Sequence, residues 1–253
     1  MSVIKDCLIV AAGMGTRLKT HGDLKPLTKV CGKPLIEHAM EAASAGGVQR
    51  FVIVTGYKAS LLDTALMEIR DRRGWAIETV YNAQFERPNG VSVLAGEALL
   101  PTEFFLAMCD HIVDAAIYRR VSAITLPKNS VALGVDYRLS NPDVDIDDVT
   151  KVQTANNHIK AIGKTIALYN AFDTGIFRAN ASLFTAIRAS ERKNGDCSIS
   201  GGMEVLAKYN QAIAVDIGNA RWMDVDSPEM YQRAHDWLFE RIDASSDVRA
   251  ALL

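Results

Sequence analysis

Apolar and polar positions along this chain follow two periods, and the switches between them mark its elements. Asp6 to Ala12 (DCLIVAA) is a short unbroken apolar run stopping at Gly13, the pattern of a strand buried on both faces. Pro34 to Ala45 instead carries Leu35, Ile36, Ala39, Met40 and Ala43, a helical stripe closed by Gly46-Gly47. The alternation continues with a strand at Phe51 to Thr55, a helix from about Ser60 to Arg72 and a strand at Ala76 to Tyr81. A helix at Val91 to Leu100, ended by Pro101, and a strand at Phe104 to Cys109 complete it. Strand and helix alternating at this spacing predict βαβ units and a parallel sheet. The second half is less regular. Strands are expected at Val131 to Tyr137, Val149 to Val152, Ile159 to Gly163, Gly175 to Phe177 and Ile213 to Ile217. Helices are expected at Ser182 to Arg192, from Gly201-Gly202, and at Pro228 to Arg241, with the last ten residues frayed.

Length and charge narrow the classes. The 253 residues carry no repeat, low-complexity tract or Pro/Gly/Ser linker, so one continuous α/β unit with two lobes is expected. With 28 Lys and Arg against 30 Asp and Glu, no global field is available to hold nucleic acid or an anionic membrane. Cys7, Cys31, Cys109 and Cys197 are widely spaced with no C-x-x-C pair, which disfavours a zinc ribbon or a disulfide scaffold. No apolar stretch is long enough for a signal segment or a membrane span, and a cytoplasmic protein is expected.

The chemistry concentrates after the first strand, in Ala11-Ala12-Gly13-Met14-Gly15-Thr16-Arg17-Leu18 followed by Lys25-Pro26-Leu27. A glycine turn leaving a strand presents backbone N–H groups that can cradle phosphate oxygens. Between Ala11 and Lys33 there are five basic residues (Arg17, Lys19, Lys25, Lys29, Lys33) against one acid, Asp23. Clustered cations on a mildly acidic chain predict a polyphosphate site. It is not a P-loop, because Gly32-Lys33 runs into Pro34 without the upstream glycine. Nor is it a dinucleotide fingerprint: the third glycine is Leu18, and Thr55-Gly56 stands where an acid is wanted.

These residues resemble a known signature. A-A-G-x-G-T-R-L followed by K-P-L and G-K-P-L is similar to that of the sugar-nucleotide pyrophosphorylases, nucleotidyltransferases that join an NTP to a phosphorylated sugar or polyol. Further segments occur in order: Asn89-Gly90-Val91-Ser92, Met108-Cys109-Asp110-His111, Thr150-Lys151-Val152, Ile162-Gly163-Lys164, Asp173-Thr174-Gly175-Ile176-Phe177 and Trp222 to Pro228 (WMDVDSP). Over about residues 3–240 they resemble the cytidylyltransferases that make CDP-inositol from inositol 1-phosphate. Cys109 departs from the serine usual there. Relatives of this domain are known fused to a membrane synthase, a segment not expected here.

The resemblance implies a Rossmann-like α/β fold with a mostly parallel or mixed sheet. It also implies a nucleotide lobe over about 1–112, an acceptor lobe over about 113–227 and a C-terminal helix over about 228–243. Ala11, Ala12, Gly13, Gly15 and Thr16 would hold the nucleotide phosphates, and Asn89, Gly90 and Ser92 would face the base. Lys25 would reach the NTP phosphates, and Arg17 would lie near the departing pyrophosphate. Mg²⁺ would be held by Asp110 with Asp224, a place that Asp226 could share or take. Lys164 would meet the acceptor phosphate, while Asp173, Thr174 and Gly175 would line its hydroxyls. The expected substrates are CTP and a phosphorylated polyol. Base choice, acceptor identity and oligomeric state, a homo-oligomer included, stay open. UTP or dTTP with a sugar 1-phosphate, CTP with an amino-alcohol phosphate or phosphonate, and a catalytically silent nucleotide sensor are the alternatives.

Other signals carry less. Asp143, Asp145, Asp147 and Asp148 imitate the start of an EF-hand, but its sixth position is Asp148 and its twelfth Thr154, so a solvated loop is expected. His111 is expected to position or to support. The attacking phosphate is already anionic and needs no base. Trp222 and Trp237 are expected in the core.

Overall fold

The computed structural model describes residues 4–15, 17, 18 and 24–250. In chain order its strands are β1 (Asp6–Val10), β2 (Lys29–Val30), β3 (Lys33–Pro34), β4 (Arg50–Thr55), β5 (Ala76–Tyr81), β6 (Glu103–Met108) and β7 (His111–Val113). They continue with β8 (Val131–Asp136), β9 (Lys151–Ala155), β10 (His158–Gly163), β11 (Ala171–Asn180), β12 (Ala212–Asp216) and β13 (Trp222–Asp224). The helices are α1 (Leu35–Ala45), α2 (Ala59–Arg73), α3 (Gly90–Ala95), α4 (Ala115–Ala123), α5 (Ala181–Asn194), α6 (Ile199–Lys208) and α7 (Pro228–Ala250).

Nine strands form one mixed sheet in the order β5-β4-β1-β6-β11-β8-β12-β10-β9. The first four run parallel, with Leu8 beside Val52 and Leu106. β11 then runs antiparallel to both β6 and β8. The apolar run of β1 is explained by what covers it. Cys7 and Ile9 meet Ile36 and Met40 of α1, Leu62 and Leu66 of α2 and Tyr118 of α4 on one face. Leu8 and Val10 meet Val93 of α3, Leu183 and Phe184 of α5 and Met203 of α6 on the other. Each such fully buried side chain contributes about 1.5–3 kcal/mol. Outside the sheet lie two small ribbons, β2–β3 and β7–β13. They share a separate apolar cluster with α7, made of Leu18, Val30, Leu35, Ile112, Met223, Val225, Met230 and Trp237.

The mixed α/β architecture matches the expectation, with local corrections. The helix expected over 91–100 is α-helical as far as Ala95 and continues as a 3-10 turn over Glu97–Leu99. Gly96 between them is packed so closely that a Cβ there would lie 2.6 Å from Leu8 Cδ1. Gly201-Gly202 does not open α6. Ser198 caps it by accepting from the Gly201 N–H at 2.9 Å, and the glycines let α6 pack closely on Ile187 and Asp196. The short strand expected at 175–177 belongs to ten-residue β11, which an irregularity between Asp173 and Phe177 divides. α4 was not foreseen, although Ile117, Tyr118 and Val121 form its buried stripe. α7 continues to Ala250, seven residues past the expected end at 243 and through most of the tail expected to fray. All four cysteines are free, and among the described residues no helix is long and apolar enough to cross a membrane.

Candidate active site

The parallel strands β1 and β6 end side by side, which brings the glycine loop and Asp110 to one edge of the sheet, where open α/β sheets bind ligands. The β7–β13 ribbon then pairs His111 with Asp224. The Val225 N–H donates to the Asp110 carbonyl at 3.0 Å, fixing the two acidic segments against each other. Buried Leu24 and the Lys25–Leu27 turn deliver Lys25 beneath the same edge. Gly15 lies directly on it. With φ +55°, a Cβ on Gly15 would stand 2.3 Å from Lys25 Cβ, so this position takes only glycine.

Lys25 is 7% exposed and sits among three carboxylates. Its Nζ donates to Asp110 Oδ2 at 2.5 Å and to Asp226 Oδ1, with Asp224 Oδ1 3.9 Å away. Burial by itself would lower the Lys25 pKa; Asp110 and Asp224 outweigh it and raise it. Burial likewise opposes the Asp110 carboxylate, yet Lys25 first and His111 second hold its pKa down at about 2. Burial disfavours a charged His111, but Asp224 and then Asp110 raise it to about 9. Its Nδ1 donates to the Thr174 carbonyl at 2.9 Å, turning Nε2 toward Asp224 and Asp110 at 3.6 and 3.8 Å. Gly175, at φ +75°, makes room for that ring, since a Cβ would lie 2.3 Å from His111 Nδ1.

The donor set fits a divalent cation. Asp110 Oδ1 and Asp224 Oδ1 are buried acceptors without a hydrogen-bond partner, a place left for a ligand that binds oxygen. Carboxylate oxygens are the ligands that Mg²⁺ takes. Asp110, His111 and Asp224 offer ligand atoms within 4.8 Å of one another, as do Asp148, Asp224 and Asp226.

A cavity of about 220 Å³ opens in front of these groups, walled by Asp110, Asp224, Asp226, Lys164, Asp173 and Trp222 among others. Lys164 extends into it on a half-exposed side chain. Asp173 accepts from the Gly175 N–H at 2.7 Å, and burial raises its pKa to about 6 against that bond. Thr174 points the other way, its hydroxyl donating to the Gly134 carbonyl at 2.8 Å. Asn89 lines the cavity, while its Oδ1 accepts from the Ile199 N–H at 2.9 Å. Ser92 is buried and accepts from Asn82 Nδ2 at 3.0 Å, and Gly90 packs on the Cys197 carbonyl. Ala11 and Ala12 are buried and hydrogen-bonded to Val54 and Tyr57 through their backbones, whereas Gly13 borders open space. Thr16 lies outside the described residues.

The acidic run at 143–148 needs correction. It is not merely a solvated loop, because Asp143, Asp145 and Asp148 line the cavity. Asp148 Oδ2 accepts from Arg17 Nη2 at 2.9 Å and its Oδ1 from Lys164 Nζ at 2.6 Å, while Arg17 also donates to Asp226 at 2.5 Å. Burial would raise the Asp148 pKa, but Arg17 and Lys164 lower it. The available signal was its place just before Thr150-Lys151-Val152. Trp222 is buried as expected, its indole N–H donating to Asp136 at 2.9 Å, and Trp237 is buried beneath Arg221.

A mixed α/β sheet whose glycine loop, buried lysine and convergent carboxylates meet at the parallel strand ends defines a nucleotidyltransferase class of fold. Residues 7–141 match the MobA-like NTP transferase domain, and the chain belongs to that family. It is 30% identical over 224 residues to a protein of Rubrobacter xylanophilus named bifunctional IPC transferase and DIPP synthase, covering 87% of this chain and 49% of that one. A protein of the same name from Thermococcus kodakarensis is also 30% identical, with 91% and 50% covered. The chain thus spans about half the length of these relatives. Among solved structures, the inositol-1-phosphate CTP transferase from T. maritima superposes with a TM-score of 0.78 at 26% identity, covering 92% of this chain and 96% of that one. A UDP-glucose pyrophosphorylase complexed with UDP-glucose shares the fold at TM-score 0.76 and 23% identity, with 94% and 99% covered.

Proposed function

We propose that this chain is a cytidylyltransferase that joins CTP to a phosphorylated polyol, inositol 1-phosphate, releasing pyrophosphate. The observation that carries the reading is Lys25 sunk among Asp110, Asp224 and Asp226, three carboxylates that line one cavity together with Lys164 and Asp173. The names of the relatives support the choice of CTP and inositol 1-phosphate.

In the proposed reaction an oxygen of the acceptor phosphate forms a bond to the α-phosphorus of CTP. The bond from that phosphorus to the β-phosphate oxygen breaks in line, and pyrophosphate leaves with the electron pair. No proton must move, so catalysis is positioning and charge neutralisation. Asp110, Asp224 and Asp226 would hold Mg²⁺, which when bound neutralises and orients phosphate oxygens. Lys25 and Arg17 offset the charge growing on the leaving group. The glycine loop from Ala11 to Gly15 cradles the nucleotide phosphates, and the Asn89 to Ser92 segment shapes the base side. Lys164 holds the acceptor phosphate, while Asp173 accepts hydrogen bonds from ring hydroxyls. His111, fixed by Thr174 and Gly175, orients Asp224.

The test is pyrophosphate release with Mg²⁺, each common NTP and a panel of polyol, sugar and amino-alcohol phosphates. CTP with inositol 1-phosphate should exceed every other pair. UTP with a sugar 1-phosphate giving the faster rate would reassign the substrates, and release with no pair would overturn the reading.

A further inference from the structure

Arg17 belongs to the glycine loop and Lys164 follows β10, far away in the chain, yet one carboxylate joins them. Asp148 gives one oxygen to each, at 2.9 and 2.6 Å. Through Arg17 the chain of alternating charges continues to Asp226, then Lys25, then Asp110. The arrangement is built, not incidental. Lys151 Nζ donates both to the Ile146 carbonyl at 2.9 Å and to the Lys164 carbonyl at 3.1 Å, tying the Asp148 loop to the backbone of its own partner. Asp143, at the start of that loop, is held by Arg221 at 2.9 Å, and the Val149 N–H returns to the Asp145 carbonyl at 2.9 Å.

Asp148 is 22% exposed, whereas Arg17 and Lys164 are 52% and 55% exposed. The carboxylate is therefore fixed at the wall, and the two cations reach in to it from solvent. Ion pairs with such exposed partners are weak, because water and salt screen them. A phosphate group offers the same pair of anionic oxygens with more charge, and bidentate acceptors of that shape suit a guanidinium. The phosphates of the two substrates, one at Arg17 and one at Lys164, would draw these cations from Asp148 with little resistance.

We propose that Asp148 is a positioning residue that stands in for substrate phosphates: it holds Arg17 and Lys164 at a fixed spacing in the free protein and yields them when the phosphates arrive. The proposal rests on the nucleotidyltransferase reading of the cleft, but not on which base or acceptor is used. Two consequences follow from one competition. Asp148→Asn frees both cations, so it binds anions more tightly. It also loses the spacing that places two phosphates in line, so it turns over more slowly.

The experiment measures pyrophosphate binding by calorimetry, in Mg²⁺ buffer, to the unaltered protein, Asp148→Asn, Arg17→Gln and the double variant. Asp148→Asn should bind pyrophosphate about 3–10-fold more tightly, and the gain should shrink below about 1.5-fold when Arg17 is already Gln. In turnover, kcat should fall about 10- to 100-fold while KM for both substrates stays level or drops. Asp148→Glu, which keeps the charge, should recover at least tenfold of the lost kcat. An Asp148→Asn protein with weaker or unchanged pyrophosphate affinity overturns the proposal, and so does a gain that survives intact in the Arg17→Gln background. Binding by neither protein overturns the proposal together with the reading beneath it. Normal turnover of the unaltered protein combined with a silent Asp148→Asn substitution overturns the proposal alone.

Discussion

Replacing Lys25 with Met keeps the aliphatic stem on which Gly15 packs and removes only the ammonium. What remains is Asp110, Asp224 and Asp226 facing one another without the cation that lies among them. Asp110 gauges the cost. Its pKa falls from 3.8 to about 2 although burial pushes the other way, and Lys25 is the foremost cause of that fall. At about 1.4 kcal/mol per unit the net effect is roughly 2.5 kcal/mol, and the share due to Lys25 is larger because it also overcomes burial. Lys25→Met should therefore destabilise the protein by about 2–4 kcal/mol at pH 7, lowering Tm by roughly 5–15 °C. The sign of the pH dependence follows. A carboxyl depressed in the folded state adds stability above its unfolded pKa and loses it as pH falls through the folded one. The deficit of the variant should be full at pH 7 and shrink between pH 3.8 and about 2. The same substitution should cut kcat about 30- to 1,000-fold, from the roughly 2–4 kcal/mol of a charge-assisted contact that strengthens in the transition state. Urea unfolding at pH 7 and pH 3 with steady-state kinetics measures both effects. A deficit under 1 kcal/mol, equal at the two pH values, with kcat unchanged, refutes the reasoning.

Three further outcomes are expected. Asp110→Ala and Asp224→Ala should each remove most turnover at every Mg²⁺ concentration while circular dichroism stays native; a neutral Asp224→Ala beside an inactive Asp226→Ala moves the second ligand by two residues. Asp173 carries the opposite pKa sign to Asp110, raised from 3.8 to about 6, so its contribution is fully present below pH 3.8 and lost as pH rises through about 6. Asp173→Asn should then be more stable than the unaltered protein at pH 8 by up to about 3 kcal/mol and equal to it near pH 4, while turning over inositol 1-phosphate poorly; identical unfolding curves at pH 8 would contradict this. Gly175→Ala would push a Cβ into the His111 ring at a left-handed backbone position, costing about 1–3 kcal/mol and lowering kcat; unchanged Tm and kcat would show that the ring needs no such seat.

The parallel half of the fold is readable because β1, β4 and β6 are buried on both faces, which writes them as apolar runs such as Asp6 to Ala12 and Phe51 to Thr55. The edge strand β5 is instead largely exposed and shows only as β-branched and aromatic residues over Ala76–Tyr81. α4 escaped because its stripe is only Ile117, Tyr118 and Val121, interrupted by Arg119 and Arg120. The acids Asp110, Asp224 and Asp226 were found through motifs, but their meeting at Lys25 depends on the β7–β13 ribbon, whose three-residue strands leave almost no period to read. Asp148 was misread for a related reason. A cluster of aspartates looks solvated in one dimension, and only the fold brings Arg17 and Lys164 to it from distant segments. Ser92 and Thr174 show the converse: each stands in a site motif, yet its hydroxyl is engaged inside the protein, with Asn82 and with Gly134.

The central claim is that the acceptor phosphate itself attacks the α-phosphorus of CTP in this cleft. Inositol 1-phosphate carrying ¹⁸O in its non-bridging phosphate oxygens, incubated with CTP, Mg²⁺ and the protein, tests it by ³¹P NMR and mass spectrometry. The account predicts CDP-inositol and pyrophosphate in equal amounts, with all the label in the CDP-inositol and one ¹⁸O in its P–O–P bridge. Label in the pyrophosphate, or consumption of CTP without a CDP-polyol product, would contradict it.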